Sequence, residues 1–136
     1  MYGDYECPYT RRAYRSIEQL ERSVPELVHF VFRHFPLREI HPHAQECAEA
    51  AEAADAQGRS WELHDFLFHR QKALQHEHLL GYAGEVGLDV DRFAAELDSH
   101  AHALHRRAPP RRLVRARGPA RRARSRRALT GPRSSL

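Results

Sequence analysis

Long apolar runs and cysteines are scarce in this sequence of 136 residues. No stretch approaches the ~18–20 consecutive apolar residues of a transmembrane helix, so we expect no membrane span. The two cysteines, Cys7 and Cys47, stand 40 positions apart and do not form a disulfide framework. No signal peptide precedes Cys7, and the sequence therefore predicts a cytoplasmic protein.

Acidic residues are absent after Asp98, and this absence divides the chain. Residues 1–105 carry 10 basic and 18 acidic side chains, a net charge of −8, whereas residues 106–136 carry 12 arginines and no acidic or aromatic residue. The first part is long enough for one acidic domain with a modest core. The second part cannot bury enough apolar surface to offset its ordering entropy, so we predict a disordered, arginine-rich tail.

A tail of this charge could also bind nucleic acid or an anionic membrane surface. It has no recognition helix, no interleaved aromatic residues and no zinc-ligand spacing. The sequence therefore predicts no specific nucleic-acid partner, and a tail without a selected role is the stronger interpretation.

The secondary structure pattern is mostly helical. Residues 9–22 show a helical apolar stripe formed by Ala13, Ile17 and Leu20. Residues 27–35 are apolar on both faces, as in a strand buried in a parallel or mixed sheet. Everything from about 41 to 105 is predicted to be helix. The signals for the ends of these helices are Pro42, Gly58, Ser60, Gly87 and Asp89.

The residues that carry chemistry lie at the start of the chain. Cys7 directly precedes the first predicted helix, and Pro8 suits the first helical turn because its missing N–H would have no partner there. The free N–H groups and the dipole at a helix N-terminus favour the thiolate, which is the nucleophilic form of cysteine. We therefore predict that Cys7 is a nucleophile; the alternative is a buried structural thiol.

The segment Asp4-Tyr5-Glu6-Cys7-Pro8-Tyr9 resembles the active-site segment of the DsbA-like branch of the thioredoxin superfamily. Later segments that begin at Phe30, His41 and Trp61 resemble the same family in the same order. The resemblance implies an α/β fold, namely a truncated thioredoxin-like domain over residues 1–105 with a helical bundle inserted at about 41–105. We find no counterpart of the strand pair that closes the family's sheet, so we expect the sheet to be incomplete.

The resemblance also implies a function. Cys7, Pro8, Tyr9 and Thr10 would form the catalytic motif of a thiol–disulfide oxidoreductase or isomerase-like protein, which needs no bound cofactor. Its partners would be protein thiols and disulfides, or glutathione as an external thiol. The family has a second cysteine where this chain has Thr10, and a hydroxyl is too weakly acidic to resolve a mixed disulfide. The hydroxyl could instead donate a hydrogen bond to the thiolate. Exchange through one cysteine is therefore expected.

Several alternatives stay open. The protein could be a catalytically inactive remnant of the family, or a basic-tailed nucleic-acid-binding protein. Tyr9 could shape the surface offered to a substrate or fill the core. Cys47 could resolve a disulfide at Cys7, but it shares a helical face with alanines and is better explained as a small core residue.

The 11 histidines raise the question of a metal site. His41 and His43 form one group, and His100, His102 and His105 form another. Neither group shows a matched Cys/His ligand pattern or an acidic ligand at a diagnostic spacing, so no metal is predicted. Outside these groups, His29 and His34 are expected to be core or edge residues of the strand, and Trp61 a core anchor.

Overall fold

The computed structural model describes residues 1–103 and 112–116. Within these residues, three short strands and five helices follow each other. Their order is β1 (Tyr2–Gly3), α1 (Pro8–Ser23), β2 (His29–His34), α2 (Ala44–Ala56), α3 (Ser60–His69), α4 (His76–Glu85), α5 (Val90–Asp98) and β3 (Arg112–Ala116).

The strands form one sheet in the order β1-β2-β3. β1 and β2 run parallel, with Tyr2 opposite Arg33, and α1 connects them as a crossover helix. β3 runs antiparallel to β2, with Val31 opposite Val114. The sequence had predicted a single strand, at 27–35, and the structure adds β1 and β3 to it. β3 lies in the stretch predicted to have no regular structure; residues 104–111 and 117–136 of the chain lie outside the described residues.

α1 buries a different face from the one that its apolar stripe predicted. Tyr14 and Glu21 are buried and Ile17 is partly buried, whereas Ala13 and Leu20 are exposed. The ring of Tyr14 stacks on Phe68 of α3, with centroids 4.6 Å apart. Burying one large aromatic ring removes more apolar area from water than burying an alanine, so Tyr14 sets the rotation of the helix.

α2 is the central helix of the helical layer, and every residue from Cys47 to Ala54 is buried. Alanine is the strongest helix former and its small side chain lets neighbouring helices approach closely. α3, α4 and α5 all pack against α2. The structure confirms three of the predicted helix ends, those at Gly58, Gly87 and Asp89, whereas α2 begins at Ala44, two residues after Pro42, and Ser60 is the first residue of α3 and not its N-cap. Gly58 and Gly87 follow α2 and α4 with φ of 74° and 81°, and the Asp89 side chain accepts a hydrogen bond from the Arg92 N–H.

The core joins the sheet to the helices through aromatic rings. The largest fully buried side chains include Tyr5, Tyr14, Phe32 and Phe68. β1 approaches this cluster so closely that Gly3 has no room for a side chain: a Cβ there would lie 2.5 Å from the Phe32 ring. This close contact fixes the start of the loop that leads from β1 into α1.

Candidate functional site

The loop between β1 and α1 places Cys7 at the N-terminus of a helix, as predicted. Cys7 is the N-cap residue of α1, and Pro8 is the first helical residue. The Cys7 thiol is free and partly exposed. Its backbone N–H donates to the Asp4 carbonyl (3.2 Å), and its carbonyl accepts from the Gln71 side chain (2.9 Å). The backbone around the thiol is therefore held from both sides.

Two carboxylates in this loop bind the segment that precedes α2. Asp4 Oδ2 accepts the Leu37 N–H and lies 2.8 Å from His41 Nδ1. Glu6 accepts the His43 N–H (2.8 Å) and lies 2.9 Å from His43 Nδ1. The histidines of the first group that raised the question of a metal site, His41 and His43, are thus each matched with a carboxylate 37 residues away. Within the described part of the chain, no group of three or more His, Cys, Asp or Glu side chains could hold a metal ion.

The other members of the predicted motif have separate surroundings. Tyr9 is 75% exposed, so it is not part of the core. The Thr10 hydroxyl accepts the Asp4 N–H at 3.5 Å, which is a contact to the loop backbone and not the predicted bond to the Cys7 sulfur. The catalytic role of Cys7, Pro8, Tyr9 and Thr10 stays a prediction.

Cys47 lies in the core, as predicted from its alanine face. Its side chain is fully buried on α2, and its thiol is free. Burial, followed by the charges of Glu6 and Glu46, raises the pKa of the Cys47 thiol. A thiol in such surroundings is unreactive.

Carboxylates on α2 meet histidines from three other parts of the chain. Glu46, Glu49 and Glu52 stand at three-residue intervals along the helix, and we call them the α2 glutamate row. Their partners are His76 at the start of α4, His100 after α5 and His34 at the end of β2, respectively. The His34–Glu52 pair is buried, with Nε2 and Oε1 3.0 Å apart.

Such pairs recur throughout the described residues. Seven of the ten histidines described have a ring nitrogen 2.5–3.1 Å from a carboxylate oxygen. We call this set the histidine–carboxylate network; its histidines are His34, His41, His43, His69, His76, His100 and His102. All but the last reach a carboxylate in a different part of the fold, so the network cross-links the sheet, the helices and the loops.

The pairing changes how readily some of these histidines take up a proton. The hydrogen bond to Glu46 raises the pKa of His76, and burial partly opposes this effect. The hydrogen bond to Glu49 raises the pKa of His100. Both effects follow because a neighbouring carboxylate stabilises the imidazolium.

These partnerships are not predicted from the sequence, where the histidines suggest only metal ligands or core residues and the carboxylates that face them do not stand out. One signal was available, namely three glutamates at three-residue spacing inside an otherwise alanine-rich helix. Carboxylates on a buried helix need partners, since an unpaired buried charge is costly.

Comparison of the chain with known proteins finds relatives that are named as antiporters. No protein-family model matches the chain. Over 96 residues, 71% of the chain, it is 47% identical to a Salinispora arenicola protein named Na(+)/H(+) antiporter NhaA 1. It is 48% identical over 100 residues to the Na(+)/H(+) antiporter NhaA of Herminiimonas arsenicoxydans, and 39% identical over 106 residues to the Na(+)/H(+) antiporter NhaA 1 of Mycobacterium sp. (strain KMS). These matches cover 74% and 77% of the chain, respectively.

The chain spans only a small part of these relatives. The matched stretches make up 15%, 16% and 17% of the three antiporter sequences. Among residues 1–103 and 112–116, no helix has the length and apolar character needed to cross a membrane.

The names of the relatives correct several expectations. They are antiporters and not thiol–disulfide oxidoreductases, so the assignment to the DsbA-like family is wrong, and so are the predicted disulfide exchange and its protein-thiol and glutathione partners. The motif segments were short, whereas the similarity to antiporters extends over 96–106 residues. An inactive remnant and a nucleic-acid-binding protein gain no better support. The expected cytoplasmic location is contradicted as well, because an antiporter exchanges ions across a membrane.

Proposed function

We propose that this chain is a regulatory segment of a Na+/H+ antiporter and that its packing responds to proton concentration. The similarity to proteins named Na(+)/H(+) antiporters supplies the setting. The histidine–carboxylate network is the observation that carries the regulatory role, since seven histidines meet carboxylates within it.

Histidine is the side chain whose unperturbed pKa places its change of charge between pH 5 and 8. A carboxylate partner favours the protonated ring, and the hydrogen bonds to Glu46 and Glu49 raise the pKa of His76 and His100 in this way. The partners come from distant parts of the sequence: His41 reaches Asp4, and His100 reaches Glu49, 51 residues away. Loss of the proton from His100 therefore weakens a contact between two elements rather than one within a single helix.

A carrier that exchanges protons changes the proton concentration around itself. A segment whose packing depends on that concentration can adjust the exchange rate to the local pH. Because the matched stretch is 15–17% of the antiporter relatives, we assign regulation to this segment and place ion exchange in the remainder of those proteins.

The experiment is a segment exchange in the Salinispora arenicola relative. The antiporter, a variant without the matched segment and a chimera carrying the segment from this chain are placed in liposomes. Sodium-driven proton flux is then measured from pH 6 to 9 with a pH-sensitive dye. We expect the deletion to keep exchange but to flatten its pH dependence, and the chimera to restore that dependence.

A matched chimera tests the network itself. It carries glutamine at His76 and His100, two network positions, and is compared with a chimera carrying glutamine at His78, which has no carboxylate partner within the described residues. Only the first should lose the pH dependence. An unchanged pH profile after deletion, or loss of all exchange in a variant that still inserts, would overturn the proposal.

We also propose that the fold class is α/β and thioredoxin-like, independently of any thiol chemistry. Support comes from the parallel β1-α1-β2 unit, the four helices that follow it and the return of β3 antiparallel to β2. Nuclear Overhauser contacts between the backbones of Val31 and Val114 would test the position of β3. Their absence in a folded sample would contradict it.

A further inference from the structure

Two histidines and three carboxylates meet where α2, the start of α4 and the end of α5 come together. We call this group the α2 junction; its members are Glu46, Glu49, His76, Asp98 and His100. His76 bridges two of the elements, with Nδ1 2.5 Å from Glu46 Oε1 on α2 and Nε2 3.8 Å from Asp98 Oδ1 on α5. The junction therefore ties three helices through one imidazole ring.

The second histidine of the junction holds the turn that follows α5. His100 Nδ1 lies 3.0 Å from Glu49 Oε2. Glu49 is 3% exposed and is fixed by the Gln45 side chain at 2.8 Å, whereas the His100 side chain is 72% exposed. A buried carboxylate on the central helix is thus met by an imidazole at the surface, which exchanges protons readily with solvent.

The backbone at this point is held in an unusual conformation. His100 has φ of 52°, in the left-handed region that is uncommon for residues other than glycine. Such a conformation persists when the surroundings hold it in place. The contact to Glu49 is a side-chain interaction that does so, together with the backbone hydrogen bond from His100 N–H to the Leu97 carbonyl (3.1 Å).

The charged groups that act most strongly on the two histidines are acidic. His76 faces Glu46, Asp98 and Glu77, and His100 faces Glu49, Glu46 and Asp98. With both rings neutral, the described groups of the junction carry three carboxylate charges and no positive charge. With both rings protonated, two of the three negative charges are balanced by the positive charges of the imidazolium rings. The hydrogen bonds to Glu46 and Glu49 raise the pKa of both histidines, so protonation occurs more readily than in a free side chain.

We propose that the α2 junction is a proton-operated latch between α2 and the turn at residues 99–103. Protonated His76 and His100 hold the end of α5 and this turn on α2; when both rings lose their protons, the carboxylates repel one another and the turn separates from α2. The latch assigns the pH response of the segment to one place in the fold. Its biological purpose rests on the proposed function.

The direction of the effect follows from the pKa shifts. A histidine whose pKa is raised in the folded chain contributes stability that is complete below the unfolded value of 6.5 and is lost as the pH rises through the raised value. The latch is therefore closed in mild acid and opens in mild alkali. The difference in local opening is about tenfold for each unit by which a histidine pKa is raised.

Hydrogen exchange of the full chain tests the latch. Exchange of the backbone amides of residues 99–103 is followed by mass spectrometry at pH 6 and pH 8.5, and each rate is divided by its intrinsic rate at that pH. We expect the protection of these amides to be lower at pH 8.5 than at pH 6. His76→Gln/His100→Gln should show the low protection at both pH values.

The control is His78→Gln, because His78 lies two residues after His76 and contacts no carboxylate within the described residues. This variant should behave like the unmodified chain. If the double variant does not fold, Glu49→Gln replaces it, and NMR should show the His100 pKa falling towards 6.5.

Two outcomes would overturn the latch: pH-independent protection of residues 99–103 in the unmodified chain, or an unchanged pH dependence in the double variant or in Glu49→Gln. The measurement uses the isolated chain, so a negative result leaves the antiporter assignment standing. Conversely, a working latch combined with an unchanged pH profile after segment deletion would overturn only the regulatory function.

Discussion

Tyr5 and His64 are joined by a hydrogen bond in the centre of the core, with the tyrosine hydroxyl 2.8 Å from His64 Nδ1. Both side chains are almost fully buried, and 59 residues separate them in the sequence. Tyr5 belongs to the loop that carries Cys7, and its own carbonyl accepts from Gln71 Nε2 at 2.8 Å. The bond therefore anchors the loop between β1 and α1 to α3.

Tyr5→Phe removes this bond and keeps the ring. The core then loses a buried hydrogen bond between two distant parts of the chain, and removal of one partner of a buried hydrogen bond costs ~1–3 kcal/mol. We expect the free energy of unfolding to fall by that amount, as measured by urea denaturation followed by circular dichroism.

The control for Tyr5→Phe is Tyr9→Phe. Tyr9 lies in the same part of the chain and is 75% exposed, so the same chemical change should alter the free energy of unfolding by less than ~0.5 kcal/mol. Equal effects of the two substitutions would show that the Tyr5–His64 bond does not anchor the loop.

A second pair of substitutions tests the close approach of β1 to the core. Gly3→Ala would place a Cβ 2.5 Å from the ring of the fully buried Phe32 and 2.6 Å from Thr10 Cγ2. We expect destabilisation of ~1–3 kcal/mol, the usual cost of adding a methyl group to a packed core. Thermal unfolding and urea denaturation both measure it.

Gly81→Ala is the matched control, and we expect it to change the stability of the chain in the opposite direction. Gly81 lies within α4, is exposed and has no atom within 4 Å of the added Cβ. Alanine there should stabilise the chain by ~0.5–1 kcal/mol, because glycine loses more backbone entropy in a helix. Destabilisation by both substitutions would indicate a general sensitivity to alanine and not a steric limit at Gly3.

Features set by neighbouring residues could be predicted from the sequence. Pro8 marks the start of α1 because it lacks the N–H that the first turn does not use. Gly58 and Gly87 end helices because they adopt positive φ, and Asp89 begins α5 because its carboxylate accepts a nearby N–H. Each signal acts within about one helical turn, so one sequence is sufficient to recognise it.

Features set by distant partners could not be predicted. Nothing within residues 112–116 marks them as a strand, because that strand exists through its pairing with β2, some 80 residues earlier. The rotation of α1 depends on Phe68, which stacks on Tyr14 across the core. The partners of His76 and His100 are likewise set by how α2, α4 and α5 pack. Element type was therefore more predictable than the side-chain site.

The two cysteines should differ sharply in their rate of alkylation. Cys7 is partly exposed, whereas Cys47 is fully buried and burial raises its pKa. With iodoacetamide at pH 7.5, we expect Cys7 to react on the native chain and Cys47 to react only through unfolding. Mass spectrometry of separated peptides measures each rate, and ~6 M guanidinium should bring the two rates together, since burial protects only the folded state.

Cys7→Ser is the control for alkylation, because any remaining reaction then reports Cys47 alone. Equal native rates at the two positions would contradict the buried position of Cys47. Slow reaction at both would show that the Cys7 loop is less accessible than the structure indicates. Neither result concerns disulfide exchange; the measurement reports only exposure and protonation of each thiol.

Glu96 should make the stability of the chain sensitive to acid. Its carboxylate accepts from Arg92 Nε and lies 2.7 Å from His102 Nε2, and hydrogen bonds from first Arg92 and then His102 lower its pKa from 4.5. A lowered folded pKa gives stability that is complete above the unfolded value and is lost as the pH falls through the folded one. Glu96→Gln should therefore lower Tm more at pH 6 than at pH 3. The comparison is Asp55→Asn, an exposed site with no charged partner in the described residues, which should shift Tm equally at both pH values. If Glu96→Gln also shifts Tm equally at pH 6 and pH 3, the contacts to Arg92 and His102 do not stabilise the ionised carboxylate.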